Sequence, residues 1–486
     1  GSGRRHKHCC GRLDRPSAVG PDGAACEQPQ TIAAALAEFR RGEAASAMRQ
    51  LAAVAASSIA DGTAAAAIAA AFAQFGVPER AVEFQRRAVE LDGGAEPLRV
   101  LNGYWESLYR RVMRASAHAT ARTLLERPGA TAAASASRAI HIVSSLAALG
   151  GTENRALELH ALLSPHVRVT LWSVTPPHPV HAARAPIRVI GERDEDIPNG
   201  GTLVLVGTFY DYGDWLHRVD ASRVIVHHNI DLPVELVQRL TQISETPSGC
   251  GIELVFPSER FRRLANLPGT IDISWTDPER FVPAARVAGS GGGLVIGRHS
   301  RDDPRKHHPN DPALYRQLVA LGHRCRIMGG LPLRHAFEGD PAAVHIELLP
   351  AGAEDPRHFL ATLDCFVYRK NRAWVETGGT VILEAMAMAL PVIVFDDDRC
   401  GATEWIEPGI GGFVVRTEDE ALATIVRLAE DPELRARIGA AARVRAVALA
   451  KMQRAAALEF YLGEVEGVAI ASSLRQRRAS STPSAA

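Results

Sequence analysis

The chain has 486 residues, enough for two to four domains, with 46% apolar and 23% charged residues as in an ordinary globular protein. Its net charge is zero, which argues against bulk electrostatic binding of nucleic acid, and no apolar run reaches the ~20 residues of a membrane span. Seven scattered cysteines, an odd number, read as reduced thiols of a cytoplasmic protein and not as a disulfide framework. In chain order, residues 1–30 are polar and broken by Gly and Pro, predicting a disordered leader without the apolar stretch of a signal peptide. His6, His8, Cys9, Cys10 and Cys26 lie in it, but adjacent Cys9 and Cys10 do not fit zinc-finger spacing, and no metal is expected.

Residues 31–135 form a helical domain plus linker. Residues 31–125 are alanine-rich with apolar positions at helical spacing. Gly42 and Gly76 stand one 34-residue period apart, Ala47 and Ala81 follow them, and Phe84, Ala88 and Leu91 complete the second unit. That period, with small residues where two helices meet, resembles the tetratricopeptide repeat, a module that docks a protein partner or an acceptor. An unrelated helical bundle remains the alternative. A Pro/Gly/Ala/Ser linker follows at 127–137.

Beyond it strands alternate with helices, the pattern of parallel α/β sheets. Strands are expected at 140–143, 167–173, 187–190, 202–206, 223–226 and 254–256, giving a first domain over 136–288. A glycine run at 289–293 reads as a hinge-like linker into a second domain over 289–447. Its strands are expected at 294–298, 324–328, 344–348, 365–368, 392–395 and 413–415. A last helix is placed at 448–468, and 469–486 is a Ser/Arg/Ala tail expected to be disordered. The fold class is therefore α/β: two doubly wound, Rossmann-like domains facing a cleft, preceded by an all-α helical-hairpin domain. Ligands in such sheets sit at the carboxyl ends of the strands.

The most informative stretch is Glu376-Thr377-Gly378-Gly379-Thr380, continuing through Glu384-Ala385-Met386-Ala387 to Pro391-Val392-Ile393-Val394. Gly378, Gly379 and Thr380 make a helix start, with the threonine as cap, and a helix N-terminus offers free N–H groups and positive potential to a phosphate. Glu384 falls about one turn into the helix and Glu376 precedes it, so a carboxylate brackets each side of an anion site. Carboxylates accept hydrogen bonds from vicinal hydroxyls, so the pattern suits a nucleotide-diphosphate sugar. Arg298 follows a strand ending in glycine, and Lys306 follows in the loop after it. Gly150 and Gly151 turn the first strand into a helix; alone, that pair is equally a tight turn. His227 and His228 close another strand, where a hydrogen-bonded loop and a functional histidine are both open readings.

The Glu-x7-Glu running into Glu-Ala-Met-Ala and Pro-Val-Ile resembles the signature of retaining GT-B glycosyltransferases of the family-4 type (glycosyl transferases group 1). The segment at 277–283, "DPERFVP", resembles the end of that family's first domain, and "GATEWIEPGIGGFVV", with Thr403 and Glu404, its closing pattern. Leu390 stands where the family usually has a glycine before the proline. The resemblance covers roughly 138–465 and is weakest in the first domain. It implies metal-independent transfer of a sugar, with retention, from a nucleotide-diphosphate sugar as co-substrate and with no further cofactor. Glu376 would touch the donor sugar and Glu384 the ribose. Arg298 and Lys306 would hold the diphosphate, Gly378, Gly379, Thr380, Gly150 and Gly151 would line the donor site, and His228 would face the donor sugar. The loop before Lys306 is longer than usual and His307 replaces a glycine, leaving Arg301 or Arg305 as substitutes. The run Asp396-Asp397-Asp398 could hold a metal, but its place after the 392–395 strand argues against that. The resemblance also implies that the helix at 448–468 crosses back onto the first domain. The acceptor would be a glycan, a lipid-linked saccharide or a protein, with at most peripheral contact at the inner membrane face. Two alternatives are a nucleotide-sugar epimerase of the same fold and an idle scaffold binding partners through its helices.

Overall fold

The structure is a computed structural model and describes residues 28–40, 43–56, 59, 61–126, 139–247, 249–283 and 293–463. The expected leader up to residue 27, the linker at 127–137, the glycine run up to 292 and the tail lie outside the described residues. So do His6, His8, Cys9, Cys10 and Cys26. Two compact units are present, Gly1–Arg110 and Arg111–Ala486.

The first unit holds α1 (Gln28–Arg40), α2 (Ala44–Ala56), α3 (Gly62–Gln74), α4 (Pro78–Asp92) and the start of α5 (Ala95–Leu125). The starts of α1 and α3, and of α2 and α4, are each 34 residues apart, as the period predicts. Ala47 and Ala81 are fully buried, so the small residues sit where helices meet. Gly76 takes a left-handed φ of 74°, which lets the chain reverse between α3 and α4. Phe84 and Ala88 join the core with Leu51, Ile68 and Phe72, whereas Leu91 is exposed. The first unit ends at Arg110, short of the expected 135. The reason is packing: Ala121, Leu124 and Leu125 of α5 join the core of the first α/β domain, and Arg114 pairs with Asp231 at 2.6 Å.

That domain runs β1 (Ile140–Ser144), α6 (Gly151–Leu163), β2 (Val169–Ser173), α7 (Pro179–Ala182), β3 (Ile187–Val189), β4 (Thr202–Val206), β5 (Arg223–His227), α8 (Pro233–Ser244), β6 (Ile252–Phe256), α9 (Glu259–Ala265) and β7 (Thr270–Ile271). All pairings are parallel, in the order β3-β2-β1-β4-β5-β6-β7. β1 is buried along its whole length, as a central parallel strand covered on both faces must be.

The second domain runs β8 (Val295–His299), α10 (Asp311–Ala320), β9 (Arg324–Met328), β10 (Ile346–Leu349), α11 (Pro356–Ala361), β11 (Cys365–Tyr368), α12 (Thr380–Ala387), β12 (Val392–Phe395), β13 (Phe413–Val415), α13 (Glu418–Glu430) and α14 (Pro432–Leu462). Its parallel sheet has the order β10-β9-β8-β11-β12-β13. The strand order therefore reverses between β1 and β4 in one sheet and between β8 and β11 in the other, and both reversals open on the cleft.

The expected terminal helix is not separate: α14 is one helix of 31 residues. Ala442, Ala446 and Leu449 pack in the second domain's core, and Ala450, Ala457 and Tyr461 pack on the first domain. Gly439 allows the close approach to α12, since a Cβ there would meet the Ala389 carbonyl oxygen at 2.2 Å. Leu390, which stands where the family has a glycine, is a packing position in the second domain's core. It is fully buried, while Ala389 takes the left-handed φ of 55° that ends the helix and would suit a glycine.

Candidate functional site

A cleft of about 740 Å³ lies between the two α/β domains. From the second domain it is lined by His299, Arg301, Lys306, Glu376 to Thr380 and Glu384; from the first, by Gly150, Gly151, Thr152, Glu158 and Asn229.

Glu376 is the centre of the second wall. Its Oε2 accepts from Lys306 Nζ at 2.6 Å and from the Tyr368 hydroxyl, and its Oε1 accepts from the Gly379 N–H at 3.2 Å. Burial works against its charge, but Lys306, the Tyr368 hydroxyl and Lys370 outweigh burial and hold its carboxyl below the ordinary range. Burial, with Glu376 beside it, raises the Tyr368 hydroxyl well above its usual value, so it remains a donor. Lys306 also lies 5.1 Å from the centre of the Trp374 ring.

The N-terminus of α12 differs from the expected cap. Gly379, at a left-handed φ of 64°, is the cap residue, and Thr380 makes no capping bond. The Glu376 carboxylate takes the first N–H instead. A Cβ at Gly379 would meet the Ala402 side chain at 2.9 Å, so conformation and space both call for glycine. Glu384, one turn on, lies 3.1 Å from His299 Nε2.

Arg298 does not reach the cleft. Alternation along β8 turns it to the face of Ile296, and His299 to the opposite face, toward Glu384. The Arg298 guanidinium is buried, stacks 4.5 Å over the Tyr368 ring and donates to the Arg369 carbonyl. The exposed cation that follows the strand into the cleft is Arg301; Arg305 is paired with Asp303 at 2.8 Å and stacked on Trp374.

The first wall is quieter. Gly150 caps α6, and a Cβ there would come 2.6 Å from Glu153 Oε2, so the glycine leaves room for that carboxyl over the turn. Burial raises the Glu153 carboxyl, and Arg301 across the cleft opposes the rise. His228 also fails to line the cleft. It is fully buried against Phe256 and Phe261, with Thr208 Oγ1 at 3.5 Å, and burial pushes its pKa down to about 3. His227 lies 2.6 Å from the Tyr461 hydroxyl, which donates to Asp272. The residue of this segment that reaches the cleft is Asn229: its amide donates to Thr152 Oγ1 at 2.9 Å, and its carbonyl accepts from Thr377 Oγ1 at 2.7 Å. Only its place at the end of the strand could have pointed to it.

Further ties join the domains near the site. Glu404 accepts from the first two N–H groups of α9, and Ser258 Oγ donates to the Thr377 carbonyl at 2.7 Å. Asp396 pairs with Arg260 and Asp397 with Lys370, each at 2.5 Å, so two of the three aspartates are committed to cations. Among the described residues no group of three or more His, Cys, Asp or Glu could hold a metal ion.

Residues 341–445, which carry both glutamates but not Lys306, match the family described as glycosyl transferases group 1. A search of curated protein sequences returns no match. Among solved structures, Anabaena Alr3699/HepE in complex with UDP and glucose is similar, at 15% identity and a TM-score of 0.50, over 64% of this chain and 97% of that one. The same protein with UDP-glucose gives 15% identity and a TM-score of 0.50, over 66% and 99%. A glycosyltransferase from Rickettsia africae gives 14% identity and a TM-score of 0.51, over 68% and 100%. Likeness at this level establishes the fold: the chain from the first α/β domain onward is a GT-B architecture.

Proposed function

We propose that this protein is a glycosyltransferase that moves a sugar from a nucleotide-diphosphate sugar to an acceptor hydroxyl, with retention and without a metal. The observation that carries this reading is the Lys306–Glu376–Gly379 arrangement at the start of α12, facing the Gly150–Gly151 turn across the cleft. Matching of 341–445 to group 1 glycosyl transferases and the UDP and UDP-glucose bound by the Anabaena neighbour support it.

The diphosphate would lie between the start of α12 and the Gly150–Gly151 turn. Lys306 and Arg301 would meet the charge that grows on the leaving group; Arg298 would instead hold Tyr368, and through it Glu376, in place. The bond from the anomeric carbon to the β-phosphate oxygen breaks as the acceptor oxygen bonds to the same face. The acceptor proton passes to the departing phosphate oxygen, so no protein base is required. Glu376 would orient the sugar hydroxyls and Glu384 the ribose. The two acids would serve one ligand, unlike the acid pair of a glycoside hydrolase. The helices of the first unit, on this reading tetratricopeptide-like, would recognise a glycan, lipid-linked or protein acceptor. No described helix is long and apolar enough to cross a membrane.

A thermal-shift panel with UDP, GDP, ADP, TDP and CMP tests the reading. A nucleotide at ~100 times its dissociation constant adds about 2.7 kcal/mol, a shift of a few degrees. One responder whose shift falls to about half in Glu384→Ala supports it. A folded protein that answers to none of the five overturns it.

A further inference from the structure

Besides Lys306 and Arg301, the cleft carries further cations for which the reaction above has no use. Arg184, Arg280 and Arg454 line it from three separate elements: the turn after α7, the 277–281 segment and α14. All three are exposed, and among the described residues none makes an ion pair with a carboxylate. Their placement follows from the fold. Arg454 lies on the face of α14 that buries Ala450 and Ala457 against the first domain, so helical periodicity aims it at the α6 side. Arg280 follows the turn closed by its N–H to the Asp277 carbonyl, directly before buried Phe281. Arg184 is held by a 2.8 Å hydrogen bond from its Nη1 to Asn154 Oδ1, a neutral partner.

Among the described residues the acids nearby form no ion pair with these arginines, although Glu158 acts on Arg184 and Asp355 on Arg280 from a distance. Asp277 accepts from the Glu279 N–H, and Asp355 is bidentate with Arg357. Glu158, which also lines the cleft, is pushed up to about 7 by burial, against the pull of Arg155 at 3.6 Å and with a further push from Glu384. Burial lowers Arg184, and the like charge of Arg280 lowers it further, with Glu158 acting the other way. Unpaired like charges converging in a cleft cost free energy unless an anion joins them.

We propose that Arg184, Arg280 and Arg454 form an anion subsite that recognises a carboxylate or phosphate on one of the two substrates, separate from the diphosphate held at Lys306. Planar guanidinium groups suit such oxyanions, since each offers parallel N–H donors. The subsite rests on the glycosyl-transfer reading only for the identity of the molecule that carries the charge: a hexuronate donor or a phosphorylated or acidic acceptor.

Calorimetry on the full chain tests it, comparing the wild type with R184Q/R280Q/R454Q, whose substitutions are all at exposed positions. The first titrant is the preferred nucleoside diphosphate, then its hexose and hexuronate esters. The second is inorganic phosphate, added with and without saturating nucleotide. A hexuronate preference of at least tenfold that vanishes in the variant assigns the anion to the donor. Phosphate binding that persists beside the nucleotide and weakens at least tenfold in the variant assigns it to the acceptor. Phosphate and hexuronate binding unchanged by the three substitutions overturns the subsite. If no nucleotide binds, the glycosyl-transfer reading falls, yet phosphate binding lost in the variant still upholds the subsite. R280E is the second variant: it reverses one charge and should abolish the same binding.

Discussion

The two α/β domains share the order of six strands, to which the first adds β7, and face one cleft, yet they supply different kinds of atom to it. The second domain presents ionisable side chains: Lys306 paired with Glu376, and Glu384 with His299 Nε2 at 3.1 Å. Near the seam the first presents a glycine turn, Thr152 and Asn229, while its histidines turn inward against aromatic rings or Tyr461. One wall is built to stabilise charge, and the other to fit against it. Substitutions on the two walls should therefore fail differently.

The largest effect is expected at Lys306. Lys306→Ala should lower kcat/KM by about 10²–10³-fold, the usual cost of losing one preorganised charge in a shielded site. It should also destabilise the protein, by up to ~3 kcal/mol, because Glu376 is left buried with an unpaired charge. Steady-state kinetics and urea unfolding read the two separately. Across the cleft, His228→Asn should leave kcat within about threefold and change stability instead, since His228 touches rings and not the cleft. An equal collapse of activity in both variants would break the distinction between the walls.

Next comes the boundary between the helical unit and the body. A truncation that removes residues 1–110 should still bind nucleotide and hydrolyse donor slowly, while losing transfer to a native acceptor. Removing 1–125 strips Ala121, Leu124 and Leu125 from the first domain's core and Arg114 from Asp231. Its melting temperature should fall by a few degrees beyond the shorter truncation, at a cost of about 2 kcal/mol, since Ala121 is fully buried and the two leucines partly so. Equal melting temperatures would show that this part of α5 is dispensable. Smaller again, Glu384→Ala should weaken nucleotide binding about tenfold by calorimetry, the worth of one charged hydrogen bond.

The same contrast governs what was legible in the sequence. Strands such as 202–206 and 392–395 stand where continuous apolar runs bounded by turn residues put them, because burial on both faces dictates their composition. The Glu376–Glu384 segment was legible because consecutive residues build that site on one turn and one helix. Arg298 was misplaced because the face a strand residue takes depends on register: one position decides between the cleft, where His299 lies, and the core. His228 was misplaced for a related reason, since Phe256 and Phe261, which enclose it, come from later elements. Arg184, Arg280 and Arg454 carried no local signal, being brought together only by the tertiary fold.

The inward-facing histidines give the last and smallest prediction. Burial is the largest cause holding His118, His141, His227 and His307 down at about 4 and His228 and His308 at about 3. In the unfolded chain each returns toward its ordinary value near 6.5. Their folded values are depressed, so the unfolded state binds more protons in the interval between, and stability must fall as pH drops from about 6.5 toward 4. Each group contributes a slope of up to ~1.4 kcal/mol per pH unit, carboxylates adding their own terms below about pH 5. The urea midpoint measured from pH 7.5 to 5.5 therefore reads mainly histidines. His228→Asn should shallow that slope by up to one proton's worth and leave activity at pH 7.5 nearly unchanged. A slope identical to wild type would mean that the unfolded chain also shields this ring, and a steeper one would place His228 charged in the fold, against the apolar packing that surrounds it.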